Sequence, residues 1–113
     1  MHEFSLALNI VDIVTEYAVK ENATEVREVE IEVGELSGVV QEALEFALES
    51  AVKGTLLENA ECRIRNVKGK VRCNNCHFEF EADNFYTECP ECHSYSVEIL
   101  KGKELRVTSM VIE

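Results

Sequence analysis

Positive charge is what this chain has least of. Its 11 lysines and arginines stand against 22 aspartates and glutamates, a formal net charge of −11 over 113 residues. The deficit is uneven: residues 1–60 hold 13 acidic and 3 basic side chains, whereas residues 61–113 hold 9 and 8. Neutralisation of phosphate by Lys and Arg drives most binding to nucleic acid and anionic membranes, so the balance argues against both as partners. Also missing is any apolar run near the ~18 residues that a bilayer span needs. The start of the chain lacks the marks of a secretory signal, since Glu3 stands where a basic region belongs and no small-residue cleavage site follows. These absences lead to the expectation of a cytoplasmic protein. No low-complexity segment and no internal repeat interrupts it, apart from a pair of cysteine knuckles.

What is present reads as a small soluble fold. A hydrophobic content of 46% with 29% charged residues is ordinary for a globular chain. At this length one modest core is expected, and a metal or a partner as an extra staple is unsurprising. Residues 3–20 carry helical periodicity, with Phe4, Ala7, Leu8, Val11, Val14 and Ala18 on one face and Leu6, Ile10, Ile13 and Tyr17 on a second. Ser5, Asn9, Asp12 and Glu16 leave only a narrow polar stripe, so this helix is expected to be covered on most sides. Residues 25–33 alternate, Val29, Ile31 and Val33 inward and Glu28, Glu30 and Glu32 outward, as in a half-buried strand.

Gly34 to Val39, GELSGV, reads as a loop. A second helix is expected over 39–52, with Val40, Leu44, Ala47, Leu48 and Ala51 inward, Ser37 as its cap and Lys53-Gly54 as its stop. A strand follows near 60–67, with Cys62 and Ile64 on one face. A last one lies in 102–113, with Leu105, Val107 and Val111 facing one way. The expected class is α+β: a small three-stranded sheet packed on two helices, residues 1–67 plus 102–113, with residues 68–101 inserted as a zinc-ribbon-like module.

The insert contains Cys73-Asn74-Asn75-Cys76 and, twelve residues on, Cys89-Pro90-Glu91-Cys92. Two such knuckles are the usual way to present four thiolates to one tetrahedral ion, and Zn(II) suits that set best. Iron in a rubredoxin-like site stays open on the same spacing. Disulfides fit a reducing compartment poorly, and a thioredoxin-like pair normally comes singly beside a βαβ unit, which the element order does not suggest. Both knuckles are followed by histidine, His77 and His93. The haem-attachment pattern this makes would need secretion and distal ligands, neither of which is visible. The two histidines read as polar residues at the edge of the site rather than ligands. Phe78, Phe80, Phe85 and Tyr86 offer a small apolar cover, and metal binding is expected to supply most of the module's stability. Cys62 reads as a small buried hydrophobe. Four cysteines around one ion leave no open catalytic position, and no nucleophile–base set is evident, so the chain does not read as an enzyme.

The one cationic stretch is RIRNVKGKVR, with Arg63, Arg65, Lys68, Lys70 and Arg72. It supports an alternative reading, a zinc ribbon that binds nucleic acid or a transcription partner, although a solvated strand and connector explains it as well. At the other end, His2 stands beside the α-amine of Met1. That amine, the deprotonated His2 amide and the imidazole can form fused chelate rings, with the amide or carboxylate of Glu3 as a fourth donor. Such planar nitrogen donation suits Ni(II) or Cu(II). An exposed polar histidine is the plainer explanation of His2 taken alone.

MHE at the start, GELSGV in the middle, the paired CxxC knuckles and the closing GKELRV…IE together resemble the hydrogenase nickel-incorporation chaperones, the HypA/HybF family. The match extends over essentially the whole chain, in order. The resemblance implies a metallochaperone that delivers Ni(II) to the [NiFe]-hydrogenase large subunit together with a nickel-binding GTPase, and in some members urease maturation as well. By position it implies that His2 is the nickel ligand, with Met1 and Glu3 adjoining it. It also implies that Cys73, Cys76, Cys89 and Cys92 hold structural zinc.

Overall fold

The computed structural model describes residues 2–84 and 86–113. Helix α1, Glu3–Lys20, contains neither glycine nor proline. It ends in a left-handed residue, Asn22, with the Ala23 amide bonded to the Ala18 carbonyl and that of Asn22 to Val19. That is a Schellman stop with asparagine in the usual glycine position. Strand β1, Val26–Gly34, leads through the GELSG turn to α2, Gln41–Ala51, and then to β2, Glu61–Val67. The chain continues through β3, Gly69–Cys73, β4, Glu79–Ala82, and β5, Val97–Lys101, and closes with β6, Leu105–Ile112.

The strands form two sheets. The first has the order β2-β1-β6, with β1 parallel to β2 and antiparallel to β6. Both helices contribute their apolar stripes to its core, where Ala7, Ile10, Val11, Val14, Leu44 and Leu48 meet Val26, Val29, Ile31 and Val33. Its polar face is a ladder of ion pairs, Arg63 with Glu28 at 2.6 Å, and Glu32 with both Arg65 and Arg106. The second sheet, β4-β3-β5, is antiparallel throughout. Its core is small: Leu36, Val71 and Ala82, flanked by Phe80, Val97 and Ile99.

Leu36 belongs to the GELSG turn after β1, yet it is buried in the core of the second sheet. The turn is held there through backbone bonds, Glu35 N–H to the Val67 carbonyl at 2.9 Å and Leu36 N–H to that of Gly102 at 2.7 Å. The space beside Leu36 exists because residue 69 is glycine. A Cβ there would stand 2.6 Å from the Leu36 side chain and 2.3 Å from the Ala82 carbonyl oxygen.

Several expectations are corrected. Strand β6 carries a bulge at Thr108, because Ser109 pairs with Glu30 while Val107 pairs with the next residue, Ile31. One extra residue reverses the alternation, so Met110 and Ile112 pack inward and Val111 is exposed. Helix α1 is covered on one side only, leaving Phe4, Leu8, Ile13 and Tyr17 exposed. Val40 precedes α2 and is exposed rather than core. Ser37 does not cap α2; its hydroxyl donates to the Gly34 carbonyl and accepts the Val39 amide, closing the turn. Finally, β1-α2-β2 is a βαβ unit, since β1 and β2 are parallel, but both cysteine knuckles lie outside it.

Candidate metal centre

The first knuckle begins on the last residue of β3, Cys73, and turns back so that the His77 amide reaches the Cys73 carbonyl at 3.0 Å. The second repeats it: the His93 amide reaches the Cys89 carbonyl at 2.8 Å. Each loop is closed by a histidine in the left-handed region, His77 at φ 66° and His93 at φ 65°. Histidine is enriched among the side-chain-bearing residues that adopt this conformation. The residue after each knuckle thus stands in a backbone shape that histidine adopts more readily than most side-chain-bearing residues.

The two loops bring the sulfurs of Cys73, Cys76, Cys89 and Cys92 within 4.8 Å of one another. Cys73 Sγ lies 3.4 Å from Cys92 Sγ, and Cys76 Sγ lies 3.6 Å from Cys89 Sγ. Four sulfurs at about 2.3 Å from a tetrahedral Zn(II) would stand about 3.8 Å apart, so the set is close to the size a zinc ion needs. Backbone and amide donors face the sulfurs: Asn75 N–H points to Cys73 Sγ at 3.3 Å, and the Asn75 side chain reaches Cys92 Sγ at 3.5 Å. The Asn75 amide and the Ser94 N–H lower the Cys92 thiol to about 6. The Phe78 N–H also favours a Cys76 thiolate, but desolvation and the neighbouring cysteine sulfurs outweigh it and push that thiol up to about 12. Sulfurs this close compete for protons, and a dication at their centre removes the conflict.

Around the sulfurs the cover is thinner than expected. Phe78 and Phe80 stack with ring centroids 6.1 Å apart, whereas Tyr86 is 90% exposed and covers nothing. Phe85 lies outside the described residues. Neither His77 nor His93 joins the converging donors. The His93 Nδ1 instead meets Glu88 Oε2 at 2.5 Å.

At the amino end, His2 is exposed just before α1, and its side chain makes no capping bond. Among the described residues its one hydrogen bond is at the carbonyl, which accepts the Leu6 amide at 2.9 Å. Met1 lies outside the described residues. Glu3 behaves differently: it is 7% exposed, the one buried charged residue among those described. Its Oε2 accepts the Val40 N–H at 3.3 Å. That bond and its own backbone N–H hold the carboxyl below the usual range, against the opposing effect of burial. Sequence pattern offered no signal for this contact, because its partner is a backbone group 37 residues away.

The nucleic-acid alternative loses its electrostatic support. Every cation of RIRNVKGKVR is paired: Arg63 with Glu28 and Glu61, Arg65 with Glu32, Lys68 with Glu81, Lys70 with Glu79, and Arg72 with Glu79 and Glu98. Binding by counterion release needs cations free to meet phosphate.

A family profile described as hydrogenase/urease nickel incorporation, metallochaperone, hypA matches residues 1–112. The chain belongs to the HypA family. HypA proteins are metallochaperones and not enzymes, and the described residues contain no helix long and apolar enough to cross a membrane. The hydrogenase maturation factor HypA of Parabacteroides distasonis is 48% identical over 113 residues, spanning all of this chain and 98% of its own. That of Prosthecochloris aestuarii is 42% identical over the full length of both. The solution structure of the Ni metallochaperone HypA from Helicobacter pylori superposes with a TM-score of 0.69 at 28% identity, covering 99% of this chain and 97% of that one.

Proposed function

We propose that this chain carries Ni(II) to a [NiFe]-hydrogenase large subunit during maturation, in the cytoplasm, in partnership with a nickel-binding GTPase. The cargo binds at the amino terminus through the Met1 amine and the amide and imidazole of His2, with Glu3 adjoining. The observation that carries this reading is the exposed His2, whose imidazole has no partner among the described residues, in a chain that a nickel-incorporation family matches from its first residue. A terminal chelate with few protein donors stays open on one side. A partner's ligands can therefore replace it stepwise, which a chaperone needs for handover. Copper(II) outranks nickel(II) at such donors, so selectivity rests on supply and handover rather than affinity.

Cys73, Cys76, Cys89 and Cys92 would hold a structural Zn(II), which screens four sulfurs that otherwise compete for protons. On this reading residues 68–101 are a zinc-stabilised module inserted into a nickel-binding domain, residues 1–67 plus 102–113.

Nickel titration of the untagged protein tests the reading. His2→Ala and a variant with one residue added before Met1 should each lose high-affinity binding. Equal binding by all three would place the cargo elsewhere. Elemental analysis of purified protein should give one zinc per chain; iron there would overturn the zinc assignment.

A further inference from the structure

Helix α2 begins without a cap of its own. The residue at its cap position, Val40, has no acceptor in its side chain. In a capping box, the third helical residue reaches back to accept the cap residue's N–H. Here that residue is Ala43, which cannot. Glu3 fills the vacancy from the first turn of the other helix, its carboxylate accepting the Val40 N–H. The same carboxylate stands at the amino end of α1, so the positive ends of two helix dipoles face one buried negative charge. This helps explain why a carboxylate with no Lys or Arg partner among the described residues tolerates 7% exposure.

We propose that Glu3 is a positioning residue, its carboxylate clamping the start of α1, and with it His2, to the start of α2. The inference deepens the terminal-nickel reading and rests on it for its consequence, although the clamp itself exists without metal. Glu3 is fixed at its side chain and His2 at its carbonyl, through Leu6, which holds the backbone beside the chelating groups while the imidazole makes no bond to any described residue. A carboxylate acting as a nickel donor would have to leave Val40.

Removing the two partners separately distinguishes these roles. Glu3→Ala deletes the acceptor. Val40→Pro deletes the donor and leaves the carboxylate in place; Val40 has φ −84°, close to the value of about −65° that proline imposes. Glu3→Gln keeps a carbonyl oxygen at the same reach. In metal-free protein, amide exchange in the first turn of α2 should quicken in Glu3→Ala and Val40→Pro and stay near wild type in Glu3→Gln. Nickel affinity of the untagged protein should fall about tenfold in the first two, with the nickel absorption bands unmoved.

Val40→Pro binding nickel as wild type does while Glu3→Ala fails, or bands displaced in Glu3→Ala, would make the carboxylate a ligand and overturn the proposal. So would exchange rates at Val40 that are equal in wild type and Glu3→Ala. Were His2→Ala to bind nickel as tightly as wild type, the terminal-site reading would fall, and the exchange experiment alone would decide the clamp.

Discussion

Glu32 accepts hydrogen bonds from two arginines that arrive from opposite neighbours, Arg65 on β2 and Arg106 on β6. Arg106 first, and Arg65 after it, hold the carboxyl below its ordinary value of 4.5. A depressed carboxylate contributes stability that is fully present above that value and is lost as pH falls through the lower, folded one. Denaturant unfolding followed from about pH 7 to about pH 3 should therefore show a shallower acid loss for Glu32→Gln than for wild type, with both proteins sharing the loss from the cysteine module. Parallel acid limbs would mean the two bonds contribute nothing. His77 and His93, each adjacent to a cysteine, already read from the sequence as polar residues at the edge of the site, and the four converging donors include neither. What the structure adds is the left-handed backbone at both positions. The burial of Glu3 was not legible, since nothing in MHE distinguishes a solvent-facing acid from one buried against the Val40 amide.

At the scale of elements, period-two and period-3.6 patterns located both helices and the first sheet to within a few residues, because each buries one regular face. The bulge at Thr108 escaped, since an unpaired residue is a property of two strands in register and β6 alone shows only alternation. The joint between the sheets is likewise a two-body feature. Gly69 faces Ala82 and Leu36 so closely that a methyl group must displace backbone. Gly69→Ala should cost about 1–3 kcal/mol of stability in metal-replete protein, read as a lowered denaturation midpoint. A midpoint within error of wild type would mean that the turn carrying Leu36 yields freely.

Over the whole molecule the two sheets differ in what holds them. Among the described residues the first core contains fourteen buried apolar side chains and the second only three. One of those three, Leu36, is contributed by the turn after β1. Chelation, or Cys73→Ser, should accordingly erase the ordered amide signals of residues 69–101 while those of α1, α2, β1 and β2 persist. An apo protein with both sheets intact would remove the stabilising role from the metal. By itself the sequence determined the two helices, the strands of the first sheet, the four-sulfur set and the family resemblance, because periodicity, knuckle spacing and terminal motifs are local properties of the chain; β3, β4 and β5 carried no such periodicity. Only the tertiary structure decided that the arginines of β2 are neutralised, that Leu36 joins the second core, and that Glu3 ties two helix starts together. Each of those depends on groups far apart in the chain, and their meeting is set by how the packed elements fall against one another.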